Sequence, residues 1–312
     1  MLNPHPEGRL EDAFWIDLLD PTPEEVLAVE AATGIFAPSR EALSEIETSS
    51  RLRAAGDVLT LSTPIISKAD TPEPELTPLG FVLTPKVLVT VRFSPLRMVE
   101  AAHMEMQRAH STSAAGSFAA LLEAMVDRTA DLLEGAGAEL DQVSRQTFRN
   151  TEVKERVNSR ANQTLRATLG RVGRLGDRLG KIRSSLLGVA RIAAFASETA
   201  KDWLAPELQS RLAAVRTDLL SLADYETHLE GKSQFLLDAV LGFINTEQND
   251  LFKILTIGSV VGVPPTLVAS IYGMNFAHMP ELQWRVGYLY AWVLIVLSTL
   301  IPMLWFKWKK WW

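Results

Sequence analysis

Ile254-Leu255-Thr256-Ile257-Gly258-Ser259-Val260-Val261-Gly262-Val263-Pro264-Pro265-Thr266-Leu267-Val268-Ala269-Ser270 opens a run of 27 residues, 254–280, that carries no formal charge. A second uncharged run, 286–306, adds 21 more. A helix needs roughly 20 apolar residues to cross the hydrocarbon of a bilayer, so both runs read as transmembrane helices. The connection, about 273–285, is too short to be a domain, and the spans must form an antiparallel hairpin with both ends on one side. Lys253 precedes the first span; Lys307, Lys309 and Lys310 follow the second. The positive-inside bias places these ends in the cytoplasm. Tyr288, Tyr290 and Trp292 mark the outer interface, and Trp305, Trp308, Trp311 and Trp312 the inner one, as aromatic belts do.

A hairpin could merely anchor a cytosolic domain, but the polar residues of the first span fall on one line. Thr256, Ser259, Thr266 and Ser270, with Val263 between them, follow alternating steps of three and four. The same line runs back through Phe252, Asn249, Asn245, Gly242 and Asp238, which defines a single helix stripe. Hydroxyls in hydrocarbon must face protein or water, so the stripe points to a bundle axis or an aqueous path. Ser and Thr also bond their own i−4 carbonyls, which leaves a packing seam as the competing reading. Pro264 and Pro265 each remove a backbone donor and free the carbonyls of Val260 and Val261 for water, cations or a neighbouring helix. Gly258 and Gly262 form a small-xxx-small pair suited to close helix approach. Two spans cannot enclose a pore, so a pore here requires a homo-oligomer.

The rest of the chain is soluble in character. Its 312 residues allow a core-bearing domain of about 200 residues beside the membrane part. The 47% hydrophobic content is concentrated at the C-terminal end. With no cysteine, only His, carboxylate, carbonyl and hydroxyl groups remain as metal ligands, an inventory for hard cations. Enzymatic chemistry finds no foothold: there is no thiol nucleophile, no Gly-rich phosphate loop and no credible Ser/His/Asp constellation. The net charge of −6 is segregated, with eleven acids against Arg9 and Arg40 over 7–47, and twelve bases against Glu152, Glu155 and Asp177 over 145–191. The basic run lacks interleaved aromatics, Phe148 and Phe195 being isolated, and nucleic acid is not expected as a partner. Met1-Leu2-Asn3-Pro4-His5-Pro6-Glu7 has neither a basic nor an apolar leader segment, so the N-terminal part is expected in the cytosol.

Local patterns predict an α+β cytosolic domain with long stalk helices. Residues 13–19 read as a strand, and Asp20-Pro21-Thr22-Pro23-Glu24-Glu25 caps a helix with early acids. Further strands are predicted at 51–55, 58–66, 79–84 and 87–93, separated by Gly56-Asp57, the Pro-rich 70–78 and Pro85-Lys86. Helices follow at 96–109 and 115–135, then a long helical segment from 136 to about 200, and from Pro206 an uninterrupted helix through 272. The division is therefore 1–135 α/β domain, 136–250 stalk, 251–272 first span, 273–285 loop, 286–306 second span and 307–312 basic tail. Arg171, Arg174, Arg178 and Lys181 lie on one helical face, with Asp218, Asp224, Glu226 and Glu230 of the next helix placed to neutralise it.

Ile271-Tyr272-Gly273-Met274-Asn275-Phe276, followed by Met279-Pro280-Glu281-Leu282, a second span and a basic-aromatic tail, resembles the CorA family of magnesium and cobalt transporters. The loop and its flanking spans are specific to that family, and the order of elements matches over the whole chain. The resemblance implies a homopentameric funnel in a bacterial inner membrane that carries Mg²⁺, with Co²⁺ or Ni²⁺, inward, and has no cofactor beyond its cargo. Gly273, Met274 and Asn275 would form the outer selectivity ring. A ring of neutral amides suits Mg²⁺, which dehydrates reluctantly and would be held too tightly by carboxylates. Gly273 is expected to permit the turn that ends the helix and Asn275 to tolerate unusual dihedrals. A helix C-cap in a tight loop is the plainer account of the same residues.

By the same resemblance Asn249 is a polar ring at the inner end, Thr266 an inner threonine and Asp238 an acid lower on the stalk. Phe252 and Leu255 sit at the hydrophobic constriction, where a ring of Phe closes a path by dewetting. Lys253, Lys307, Lys309 and Lys310 form a basic collar, although membrane anchoring needs the same lysines. Glu281 would concentrate cations at the mouth, or be an ordinary loop acid. The family's regulatory metal between subunits maps onto no motif in this chain, so that site is unknown. A proton-coupled zinc carrier of the ZntB type is the alternative, with His278 as the one borderline ligand near the entrance and His103 and His110 far away in the soluble part. A non-conducting membrane-anchored sensor or scaffold is the alternative from another class.

Overall fold

The computed structural model of the chain describes all residues except 46, 72, 110–112, 153–158, 276–278, 310 and 312. Contacts divide it into two units, one of residues 1–155 and 167–237, the other of 156–166 and 238–312.

The first unit is built on a six-stranded sheet in the order β1-β2-β6-β5-β4-β3: β1 Leu2–His5, β2 Trp15–Leu19, β3 Leu52–Ala55, β4 Val58–Ser67, β5 Glu75–Leu83 and β6 Leu88–Arg92. Only the β2–β6 pair is parallel, with Trp15 opposite Leu88, and the others are antiparallel. Period-two alternation sends side chains to both faces. On one face Trp15, Leu61, Phe81 and Leu88 join the helical side chains Phe118, Leu121, Ile192 and Leu219 in the largest core. On the other, Ile16, Leu18, Val82 and Val89 pack with Val29, Ile35 and Leu43. Helices α1 Pro23–Thr33 and α2 Arg40–Ser44 supply the second face, and α3 Thr48–Arg51 leads into β3. Thr22 caps α1 in a full capping box: its hydroxyl accepts from the Glu25 amide at 3.3 Å, while its own amide donates to the Glu25 carboxylate at 3.0 Å.

At the sheet centre a polar network is wholly buried. Arg92 grips Asp17 from Nη2 to Oδ2 at 2.8 Å and through Nε at 3.1 Å; Thr90 donates to the same carboxylate at 2.7 Å, and Trp15 Nε1 donates to Thr90 at 3.0 Å. Every charge there has a partner, the condition under which a buried ion pair is tolerated.

Four helices complete the chain's helical part before the C-terminal segment: α4 Arg97–Ala109, α5 Ala114–Glu152, α6 Ser159–Thr199 and α7 Pro206–Tyr272. Leu133, Leu140, Leu175, Ile182, Leu229 and Leu236 form a bundle core among α5, α6 and α7. α5 runs unbroken across residue 135, where the sequence suggested a division. Gly137 serves packing, because a β-carbon there would lie 2.7 Å from the Tyr225 hydroxyl of α7.

The basic face of α6 is not neutralised as the sequence suggested. Glu226 and Glu230 both bond Arg183, at 2.8 and 2.9 Å, and among the described residues neither Asp218 nor Asp224 pairs with that face. The reason is helical phase. Val172, Leu175, Leu179 and Ile182 are the α6 residues in the bundle core; Arg183 flanks that seam on the side where Glu226 and Glu230 lie, while exposed Arg174 and half-buried Arg178 lie on its other flank. Burial raises the Glu226 pKa, and Arg183 opposes the shift.

Candidate functional site

The second unit holds the C-terminal part of α7, the motif loop, a 3₁₀ turn at Pro280–Gln283 and the last helix, α8 Gly287–Trp308. α7 spans 67 residues, and both α7 and α8 contain a stretch long and apolar enough to cross a membrane.

The stripe reads directly onto α7. Asp238, Gly242, Asn245, Asn249, Phe252, Thr256, Ser259, Val263, Thr266 and Ser270 are all exposed in the single chain, Phe252 at 66% and Val263 at 62%. Leu255 stands beside Phe252, also 66% exposed. Residues 257, 261, 264, 265, 268 and 272, on the far side of the same helix, are half-buried. One side of α7 is therefore partly covered within the chain and the stripe side is open. The hydroxyls of Thr256 and Thr266 donate to the carbonyls of Phe252 and Gly262 at 2.7 and 2.8 Å. Their protons are spoken for, and what they present outward is oxygen lone pairs, an acceptor surface. Pro264 and Pro265 are accommodated inside α7 without ending it.

The helix ends at Tyr272. The Gly273 amide is shared between the carbonyls of Ala269 at 3.0 Å and Ser270 at 3.2 Å, and the Met274 amide donates to Ile271 at 3.2 Å. Neither Gly273 nor Asn275 has a positive φ, in contrast to the expected use of unusual dihedrals. What Gly273 contributes is room: a β-carbon there would lie 3.2 Å from the Ala269 carbonyl oxygen, tighter than an ordinary contact. Met274 and Asn275 are exposed just beyond the helix, while Phe276 and His278 lie outside the described residues. Glu281 falls in the 3₁₀ turn, where its carbonyl accepts from the Trp284 amide at 3.3 Å.

The lysines differ among themselves. Lys253 pairs with Asp250 at 3.1 Å on its own helix, and Lys309 sits 5.8 Å over the Trp308 ring. Lys307 lies in the last turn of α8, where a cation favours the helix dipole. Lys310 is outside the described residues. Phe306, 2% exposed, is sandwiched by Trp305 and Trp311 with ring centroids 5.2 and 5.6 Å away. This aromatic knot tethers the segment that carries the lysines, a contact that hydropathy alone does not show.

No group of three or more His, Asp or Glu side chains among the described residues is placed to hold a metal. His103 lies against His5, with ring centroids 4.1 Å apart and the planes tilted by 41°, beside Trp15 in the first unit. Desolvation, then the neighbouring His103, pulls the His5 pKa below its ordinary value. His110 lies outside the described residues.

An open stripe with threonine acceptors leads along α7 to Gly273-Met274-Asn275. The profile of the family described as CorA-like Mg2+ transporter protein matches residues 11–309. The chain belongs to the CorA-like Mg2+ transporter family. The magnesium transport protein CorA of Escherichia coli K12 is 32% identical over 307 residues, 97% of this chain and 93% of that protein. The complete CorA magnesium transporter structure from Methanocaldococcus jannaschii superposes with a TM-score of 0.76 at 18% identity, covering 96% of this chain and 92% of that one. The cytoplasmic domain of ZntB from Vibrio parahaemolyticus superposes less well, with a TM-score of 0.54 at 13% identity over 74% of this chain and 88% of that one. As in CorA, then, a mixed-sheet domain with long helices precedes two apolar C-terminal helices.

Proposed function

We propose that this chain forms a homopentameric channel in the bacterial inner membrane, both termini cytoplasmic, that carries Mg²⁺ inward as the hydrated ion, with Co²⁺ and Ni²⁺ as lesser cargo. The observation that carries the reading is the α7 stripe: ten positions from Asp238 to Ser270, every one exposed in the single chain although Phe252 and Val263 are among them. A single chain leaves that surface open. Five copies around an axis turn it into the wall of a path, and membrane lipid covers the outward faces of α7 and α8.

Each side chain then has a task. Asn275 presents a neutral amide oxygen to the water shell of the ion and binds without stripping it, weakly enough for release. Gly273 and Met274 set the width of that entrance. Thr256, Ser259, Thr266 and Ser270 line the span with acceptors, and Asn245, Asn249 and Asp238 continue the line toward the cytoplasm. Phe252 and Leu255 form the apolar constriction that empties of water when closed. Glu281 raises the cation concentration at the mouth, and Lys253, Lys307, Lys309 and Lys310 ring the inner end. No step breaks a covalent bond, so the protein is not an enzyme and needs no cofactor.

The test is Asn275→Ala in proteoliposomes. Mg²⁺ uptake is expected to vanish while the assembly keeps its size on gel filtration; continued uptake removes Asn275 from the selectivity ring. Parallel flux of Mg²⁺, Co²⁺, Ni²⁺ and Zn²⁺, with and without a proton gradient, separates this reading from a ZntB-type carrier. Zn²⁺ entry that follows the gradient, with no Mg²⁺ entry, overturns it.

A further inference from the structure

One cleft lies wholly within the first unit. It has a volume of about 820 Å³, is floored by α6, and is walled by the β4–β5 connection at Thr71, Glu73, Pro74 and Glu75 and by Glu139 of α5. Arg171, Arg174, Arg178 and Lys181 project into it, the same four cations that the sequence places on one helical face.

Their charges are unevenly met. Arg171 is held at one end, donating to Gln146 at 3.0 Å and pairing with Glu139 at 3.5 Å, and Lys181 is held at the other by Asp177 at 2.6 Å. Glu75 is occupied by Lys68 through both carboxylate oxygens at 2.9 Å. Between the two ends, Arg174 and Arg178 have no ion pair among the described residues. Arg178 lies in the field of Asp70, but that carboxylate already bonds Arg128 at 3.0 Å and Arg97 at 3.2 Å. Two guanidinium groups four residues apart on a helix repel each other unless an anion lies between them. Glu73 is the one lining carboxylate without a hydrogen bond or ion pair among the described residues.

We infer that this cleft binds a magnesium-complexed polyphosphate. Guanidinium forks bind phosphate oxygens bidentately, and two of them one helical turn apart match adjacent phosphoryl groups. Glu73 would repel a bare polyphosphate, yet it suits the water shell of a Mg²⁺ ion riding on the chain. No aromatic side chain is among the described residues lining the cleft, so a base finds nothing to stack on and recognition stops at the phosphates. Gly170 and Gly173 keep the floor low; a β-carbon on Gly173 would meet nothing within 4 Å. The ligand source is thus inorganic tripolyphosphate or the tail of a nucleoside triphosphate. The inference stands apart from conduction and is read out by binding alone.

The experiment is calorimetric titration of the full-length protein in detergent with magnesium tripolyphosphate and with MgATP. Saturable binding of both at one site per chain, with similar affinity, is expected. Arg174→Ala with Arg178→Ala should weaken each by about tenfold or more, the loss of charge-assisted contacts to two arginines. Gly173→Leu keeps every charge, suits a helix better than glycine, and should also weaken binding by filling the floor, with thermal unfolding no lower than in the parent. Glu73→Gln should lessen the advantage of the magnesium complex over the metal-free ligand. Absence of saturable binding, or wild-type affinity in both the double arginine variant and Gly173→Leu, overturns the site. MgATP binding far more tightly than magnesium tripolyphosphate overturns the claim that the base is ignored.

Discussion

The two ends of the chain use the same apolar residue types in opposite ways. In the sheet domain Trp15, Leu61 and Phe81 are fully buried, whereas in the C-terminal helices Leu255, Leu267, Ile301 and Leu304 are 59–66% exposed. The polar groups invert as well: Asp17 and Arg92 are sealed in the core of the first region, and the second exposes Asn245, Asn249, Thr256, Ser259, Thr266 and Ser270 along one stripe of α7. The first region satisfies the hydrophobic effect within itself. The second leaves its apolar side chains open, because a two-helix segment has too little surface to bury its own.

Substitutions can break this contrast at graded cost. The largest stability effect is expected from Asp17→Ala, which strands Arg92 in the core and should cost about 3–5 kcal/mol, seen as a lowered denaturant midpoint of the sheet domain. An unchanged midpoint would mean that water reaches this pair. Leu297→Lys puts a charge near the middle of α8 and should oppose membrane insertion by roughly 2.5–3.5 kcal/mol, measured as the membrane-integrated fraction. The same substitution in an exposed loop of the first region should do nothing, and full integration of the variant would exclude α8 as a span. Thr22→Ala removes half of the capping box of α1 and should cost about 1 kcal/mol, with no effect on cation flux.

The smallest effect is a pH dependence confined to the first region. The folded pKa of His5 is depressed, so the folded state binds its proton less readily than the unfolded chain. Stability from burying neutral His5 beside His103 is therefore present above the ordinary His value and fades as the pH falls through and below it. His5→Phe should flatten thermal unfolding between about pH 7 and 5. If the variant keeps the parent's slope, another group is responsible.

Much of this was readable in the residues. Alternating apolar residues gave the four strands from β3 to β6 within a few positions, and the helix from Pro206 to residue 272 is uninterrupted as the sequence suggests. β1 escaped notice because Leu2-Asn3-Pro4-His5 has no strand pattern of its own; it exists as an edge strand paired to β2, where a proline does no harm. The division expected at residue 135 is absent because α5 continues to Glu152, and a β-carbon on Gly137 within it would crowd the Tyr225 hydroxyl of α7. At the motif, the turn was expected from backbone freedom, but Gly273 serves clearance from a carbonyl. The stripe was visible because helical periodicity is a local property, and the idle arginines of α6 were not, because pairing depends on which helix lies opposite.

The sequence by itself determined two uncharged spans, their hairpin connection, the polar line along α7 and the Gly273-Met274-Asn275 loop that ends it, because hydropathy and helical phase are fixed by residue order. Tertiary structure decided which charges meet. Asp17 finds Arg92 across 75 residues, Arg183 takes Glu226 and Glu230, and Arg174 and Arg178 are left facing an open cleft. Long-range pairing depends on how strands and helices are laid beside one another, and no local pattern of residues encodes that arrangement.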